Sequence, residues 1–108
     1  MTMLKTFPAV NLTVTGALAG VELGATPFQL GGNALLFFPA AIGGAGVITL
    51  EGSPDGATSP STYTTIRTLN AAQTASLWVE LTDLPKYIRM NVTTAGTGSV
   101  TPTLHGVQ

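Results

Sequence analysis

Apolar and polar positions alternate most clearly between residues 86 and 93, where Tyr87, Arg89 and Asn91 oppose Ile88, Met90 and Val92. A period of two with one apolar side predicts a half-buried β-strand. Pro85 has no amide to donate to a ladder, so the strand is expected to start at about Lys86. Residues 47–53 (VITLEGS) repeat the pattern, with Ile48 and Leu50 against Thr49 and Glu51. In residues 77–81 (LWVEL), Leu77, Val79 and Leu81 are expected inward and Trp78 and Glu80 outward. Residues 63–68 set Tyr63, Thr65 and Arg67 against Thr64 and Ile66, and residues 9–16 set Val10, Leu12 and Val14 against Asn11, Thr13 and Thr15. Shorter strand pieces are expected at 21–23 and 28–30. Residues 100–106 place Val100, Pro102 and Leu104 on one side, and Pro102 predicts that this last strand lies at a sheet edge.

Residues 34–38 (ALLFF) do not alternate at all. A continuous apolar run of this length predicts a strand covered on both faces, one of them by a neighbouring subunit. Turns are expected at Gly31-Gly32-Asn33, Pro54-Asp55-Gly56 and Gly96-Thr97-Gly98, where left-handed backbone is accessible. Residues 40–46 (AAIGGAG) read as a loop. Their glycines would suit a phosphate only if a helix followed, and the pattern after them is that of a strand. Residues 69–76 (LNAAQTAS) have helical propensity over about two turns, too few to hold alone, so one helical turn is the most expected there. About eight short strands with turn signals every eight to twelve residues predict an all-β fold. The expected architecture is a two-sheet antiparallel β-sandwich, jelly-roll or immunoglobulin-like, with little or no helix. Residues 1–108 form one domain in this reading, with 1–8 as an N-terminal arm.

Composition changes this picture in one respect. Only 8% of the residues are charged and the formal net charge is −1, against about 25% charged in an ordinary soluble domain. Weakly charged surfaces associate, so a surface covered by neighbours is expected, in a homo-oligomer such as a trimer or dimer. Nothing in this balance would attract nucleic acid. No stretch approaches the ~20 apolar residues of a membrane helix, and no cysteine is present.

Candidate chemistry is sparse. His105 is the single histidine and reads as a solvent-facing strand residue; the carboxylates Glu22, Glu51, Asp55, Glu80 and Asp83 are scattered. No catalytic, cofactor or metal constellation emerges, and no enzyme activity is expected. The outward aromatics Tyr63, Trp78 and Tyr87 could stack on sugar rings, or could anchor a protein interface, where Trp, Tyr and Arg concentrate. Interface residues are expected at Leu4 and Phe7 in the arm, at Phe37 and Phe38 in the apolar strand, and at Tyr63, Trp78, Tyr87 and Arg89. Glu51 and Arg89 are expected to pair across two strands of one sheet as an exposed couple contributing under ~1 kcal/mol.

The runs ITLEGSPDG (48–56), TYTTI (62–66) and LPKYIRMNVTTAGTGSVTPTLHG (84–106) together resemble small virion proteins of tailed bacteriophages. In that family a strand ends in Gly-Ser, an Asp-Gly turn follows, and a later strand carries a Tyr-Ile-Arg-like core. The likeness covers residues 47–106. It implies a structural protein of the capsid surface, a decoration or cement protein that contacts the major capsid protein or other virion proteins. Discoidin-like sugar-binding sandwiches have a comparable layout, which keeps a carbohydrate-binding module of a tail or accessory domain as the alternative.

Overall fold

The computed structural model describes residues 2–18, 20–23, 34–54, 63–75, 77–82 and 85–107; of the side chains of 2–5, 22 and 107 nothing is described. The described residues form eleven strands and one helical turn: β1 (Thr2–Thr6), β2 (Val10–Asn11), β3 (Gly16–Ala17), β4 (Val21–Glu22), β5 (Ala34–Phe37), β6 (Val47–Ser53), β7 (Thr64–Leu69), α1 (Ala71–Thr74), β8 (Trp78–Leu81), β9 (Tyr87–Thr94), β10 (Ser99–Val100) and β11 (Thr103–Val107). All strand pairs are antiparallel. A front sheet has the order β1-β11-β5-β8, and a back sheet the order β3-β9-β6-β7, with β4 also on β9; β2 and β10 make a small separate ribbon. The chain is an all-β, sandwich-like fold.

Alternation explains the layering. The back sheet turns Ile48, Leu50, Ile88, Met90 and Val92 inward, and the front sheet turns in Ala34, Leu36, Val79, Leu81 and Leu104; all are buried in one core. Leu50 lies opposite Met90 and Glu51 opposite Arg89, so the two faces of the β6–β9 pair are kept separate along its length. At β7 the register shifts between Leu50 and Glu51, which leaves Ile66 without an opposite residue and bulges the edge strand.

Several sequence expectations are corrected. Phe7 and Phe38 are core residues and present no interface surface. The stretch expected as an arm is β1, paired along β11, and the Phe7 amide donates to the Pro102 carbonyl at 3.1 Å. Pro102 therefore does not mark an edge: it stands just before β11, which has β1 on one side and β5 on the other. Residues 9–16 do not run on as one strand. Asn11 Oδ1 accepts from the amide and the hydroxyl of Thr13, turning the chain, and Val14 is left 61% exposed. Within this chain the 34–38 run is covered on one face: Ala34, Leu36 and Phe38 are buried, while Leu35 is exposed and Phe37 half-buried on the face for which a neighbour is expected. The strand expected at 28–30 and the turns at 31–33 and Asp55-Gly56 lie outside the described residues.

Two local devices hold the ends of the sandwich. Asn70 caps α1, its side-chain oxygen accepting from the amides of Ala72 and Gln73, while Gln73 Oε1 accepts from the Asn70 amide. Thr74, at the other end of that turn, is buried; its hydroxyl donates to the Asn70 carbonyl and accepts from the Ile42 amide at 2.9 Å. Elsewhere three loops interlock: the Gly96 amide donates to the Leu12 carbonyl (2.7 Å), the Leu12 amide to the Gly98 carbonyl (3.0 Å) and the Thr97 amide to the Gly43 carbonyl (3.2 Å). A Cβ at Gly96 would run into the Gly43 carbonyl and stand 2.7 Å from the Gly46 Cα, so glycine is required by space.

Candidate functional site

The outer faces of the two sheets carry different chemistry. On the back sheet, Arg89 Nε donates to Glu51 Oε1 at 2.7 Å, and Asn91 Nδ2 donates to the second carboxylate oxygen at 3.1 Å. The guanidinium lies 4.1 Å from the centre of the Tyr63 ring, a cation–π contact. The Arg89 and Glu51 side chains are only 17% and 12% exposed, less than an exposed couple would be. Tyr63 and Tyr87 are half-buried, and Lys86 Nζ sits 5.6 Å from the Tyr87 ring. This group binds itself: its charges and rings are directed at one another.

The outer face of the front sheet is organised by register. His105, Leu35 and Glu80 lie side by side on β11, β5 and β8, and Thr103, Phe37 and Trp78 form the next row. Directly opposed residues share a face, and because Leu36, Leu104 and Val79 point into the core, these two rows must point out. The aromatic rings lean together over β5. Phe37 and Trp78 have centroids 4.7 Å apart at 44°, Trp78 and His105 5.2 Å apart at 65°, and Phe37 and His105 6.2 Å apart at 88°. His105 Nε2 is 2.9 Å from the Thr103 hydroxyl, which fixes the ring over the sheet. Trp78 remains 44% exposed and Leu35 38% exposed, so apolar surface is offered to the outside here.

Trp78 is held by an unusual approach. Leu77, just before it, has φ of 70°, a left-handed conformation uncommon for a residue with a branched side chain. Two hydrogen bonds hold it there: its amide donates to the Thr74 carbonyl at 2.9 Å, and its carbonyl accepts from the Phe38 amide at 2.7 Å. Local strain of this kind persists only where the surroundings enforce it, and here it delivers the indole to the outer face.

Of the residues expected at an interface, the front face therefore holds Phe37 and Trp78, and the backbone of Leu4 lies on β1 in register with His105. Tyr63, Tyr87 and Arg89 lie on the back sheet. Phe7 and Phe38 are internal. Leu35 and His105 belong to the front face although the sequence reading places neither of them at an interface; His105 is read there only as a solvent-facing strand residue. The signal for His105 is the alternation Pro102, Leu104, Gly106, which turns it outward; for Leu35 no frame can be read within ALLFF.

The chain matches no protein-family model, no curated protein and no solved structure.

Proposed function

We propose that the chain is a structural protein of a bacteriophage virion, a decoration or cement protein that joins its neighbours on the shell through the outer face of the front sheet. The observation that carries this reading is the outer apolar face of exposed Leu35 and Trp78 around half-buried Phe37, on a chain with few charges to keep it solvated. Aromatic anchors ringed by polar groups such as Thr103 and Glu80 are what protein interfaces concentrate. The resemblance of residues 47–106 to small virion proteins supplies the setting. Purified protein mixed with undecorated capsids is expected to bind a fixed number of sites and raise the temperature of capsid rupture. Trp78→Ala is expected to weaken that binding. Capsids unchanged by saturating protein would refute the reading.

The exposed indole of Trp78 favours sugar binding as the second reading. The rings of the face are tilted by 44° to 88° from one another, however, and do not extend the indole into one flat stacking platform. Retention by a glycan array, lost on Trp78→Ala, would bring this reading forward.

A further inference from the structure

We infer that the outer face of the front sheet pairs with a second copy of this chain about a twofold axis running along β5. The inference rests on the reading of that face as an interface and names its occupant.

The argument comes from the row His105–Leu35–Glu80. Its centre is apolar, one flank carries an imidazole and the other a carboxylate. Strands β11 and β8 are two spacings apart, roughly 10 Å, and no ion pair joins Glu80 to another described residue. A twofold axis along β5 exchanges the two flanks. Leu35 then meets Leu35 of the second copy, Phe37 meets Phe37, and each Glu80 faces His105 of the second copy on both sides of the axis. The next row follows the same operation: Trp78 comes against Thr103 of the second copy, a small residue opposite a large one. An axis across the strands would instead set Glu80 against Trp78 and His105 against Thr103, and would leave the carboxylate facing an apolar ring. Facing the carboxylate with an imidazole, which can donate to it, and not with an apolar ring thus selects the axis along β5, and the contact is isologous, as twofold interfaces are. The axis sets β5 parallel to its copy, and sheet twist turns the flanking strands away from it, so the match is best close to the axis, where these six residues lie. The broad extents of the molecule are 35 and 31 Å against 18 Å for its short one, which is room for the ~800 Å² per partner of a stable interface.

The test is sedimentation equilibrium of the full chain up to ~100 µM, a concentration that saturates a dimer of micromolar Kd. The wild type is expected as a dimer. Leu35→Arg sets two like charges against each other on the axis and is expected to give a monomer with an unchanged circular dichroism spectrum. His105→Glu opposes Glu80 of the second copy and is expected to weaken the dimer about tenfold. The double variant Glu80→Arg/His105→Glu restores opposite charges only between copies, and is expected to return to within about threefold of the wild type. A monomeric or trimeric wild type, a dimer indifferent to Leu35→Arg, or a double variant no tighter than His105→Glu would each overturn the inference. Capsid binding is read separately. A monomer that still saturates capsids removes the twofold pairing and leaves the assembly role; a dimer that ignores capsids does the reverse.

Discussion

Adjacent residues on β9 show how far single side chains differ in what they hold. Ile88 is fully buried against the β6 side of the core, and Ile88→Ala is expected to cost about 2–5 kcal/mol from lost burial and the cavity left. Arg89 points the other way, yet its loss is not trivial. Removing it strands a Glu51 carboxylate that is 12% exposed and uncovers the Tyr63 ring. Arg89→Ala is therefore expected to cost about 1–3 kcal/mol, above the value for a solvent-exposed pair. Urea titration of both variants checks the two figures, and a cost for Arg89→Ala within experimental error of zero would show the pair to be solvated. Thr74 offers the complementary case of a neutral group. Thr74→Val keeps the shape but leaves the buried Ile42 amide without an acceptor, so about 1–3 kcal/mol should be lost; faster hydrogen exchange at the Ile42 amide would locate the loss.

Among elements, the loops at 11–14, 43–46 and 95–98 behave as one unit because their backbones touch. Gly96→Ala places a methyl against backbone with no side chain to yield, and a melting experiment should register a loss of about 1–3 kcal/mol. The same change at Gly98 meets no atom within 4 Å but falls at φ of 79°, so any cost there comes from backbone conformation alone. Elements were legible in the sequence where alternation was clean. β6, β8 and β9 appear within a residue of their expected limits, and the single helical turn falls inside 69–76. Alternation failed where side-chain hydrogen bonds or a partner strand made the choice. Asn11 ends β2 by capturing Thr13, which no periodicity records. In ALLFF every position is apolar, so the face left bare, and with it Leu35 and Phe37 of the candidate site, is chosen by β11 and β8 rather than by the run itself. Trp78 and Glu80 could be assigned outward because Val79 and Leu81 flank them.

For the whole molecule, the decisive correction is that the two ends of the described chain meet. β1 lies along β11, and Phe7 follows it into the core. Phe7→Asp would bury a carboxylate with no partner in an apolar cluster, a change expected to unfold most of the protein at room temperature and not merely to weaken an interface. Soluble, cooperatively melting Phe7→Asp protein would mean that this phenylalanine can leave the core at little cost. The sparse charge of the chain has its counterpart in the same view. Among the described residues, Glu51 and Arg89 are spent on each other, and the Arg67 guanidinium donates to the Glu80 carbonyl at 3.0 Å, tying the edge of the back sheet to that of the front.

The interrupted border of the back sheet has a consequence for solubility. β3 and β4 are two residues each and pair with separate stretches of β9, at Val92–Asn91 and Ile88–Tyr87, with the Leu18 amide donating to the Met90 carbonyl after β3. Among the described residues, a foreign strand arriving there finds no straight row of amides and carbonyls long enough to copy, and at the opposite border the β7 bulge interrupts the row. A protein with so little charge repulsion would otherwise be open to lateral polymerisation when concentrated. Broken margins of this kind disfavour edge-to-edge growth of the back sheet and leave the outer face of the front sheet as the broader surface on which association would act.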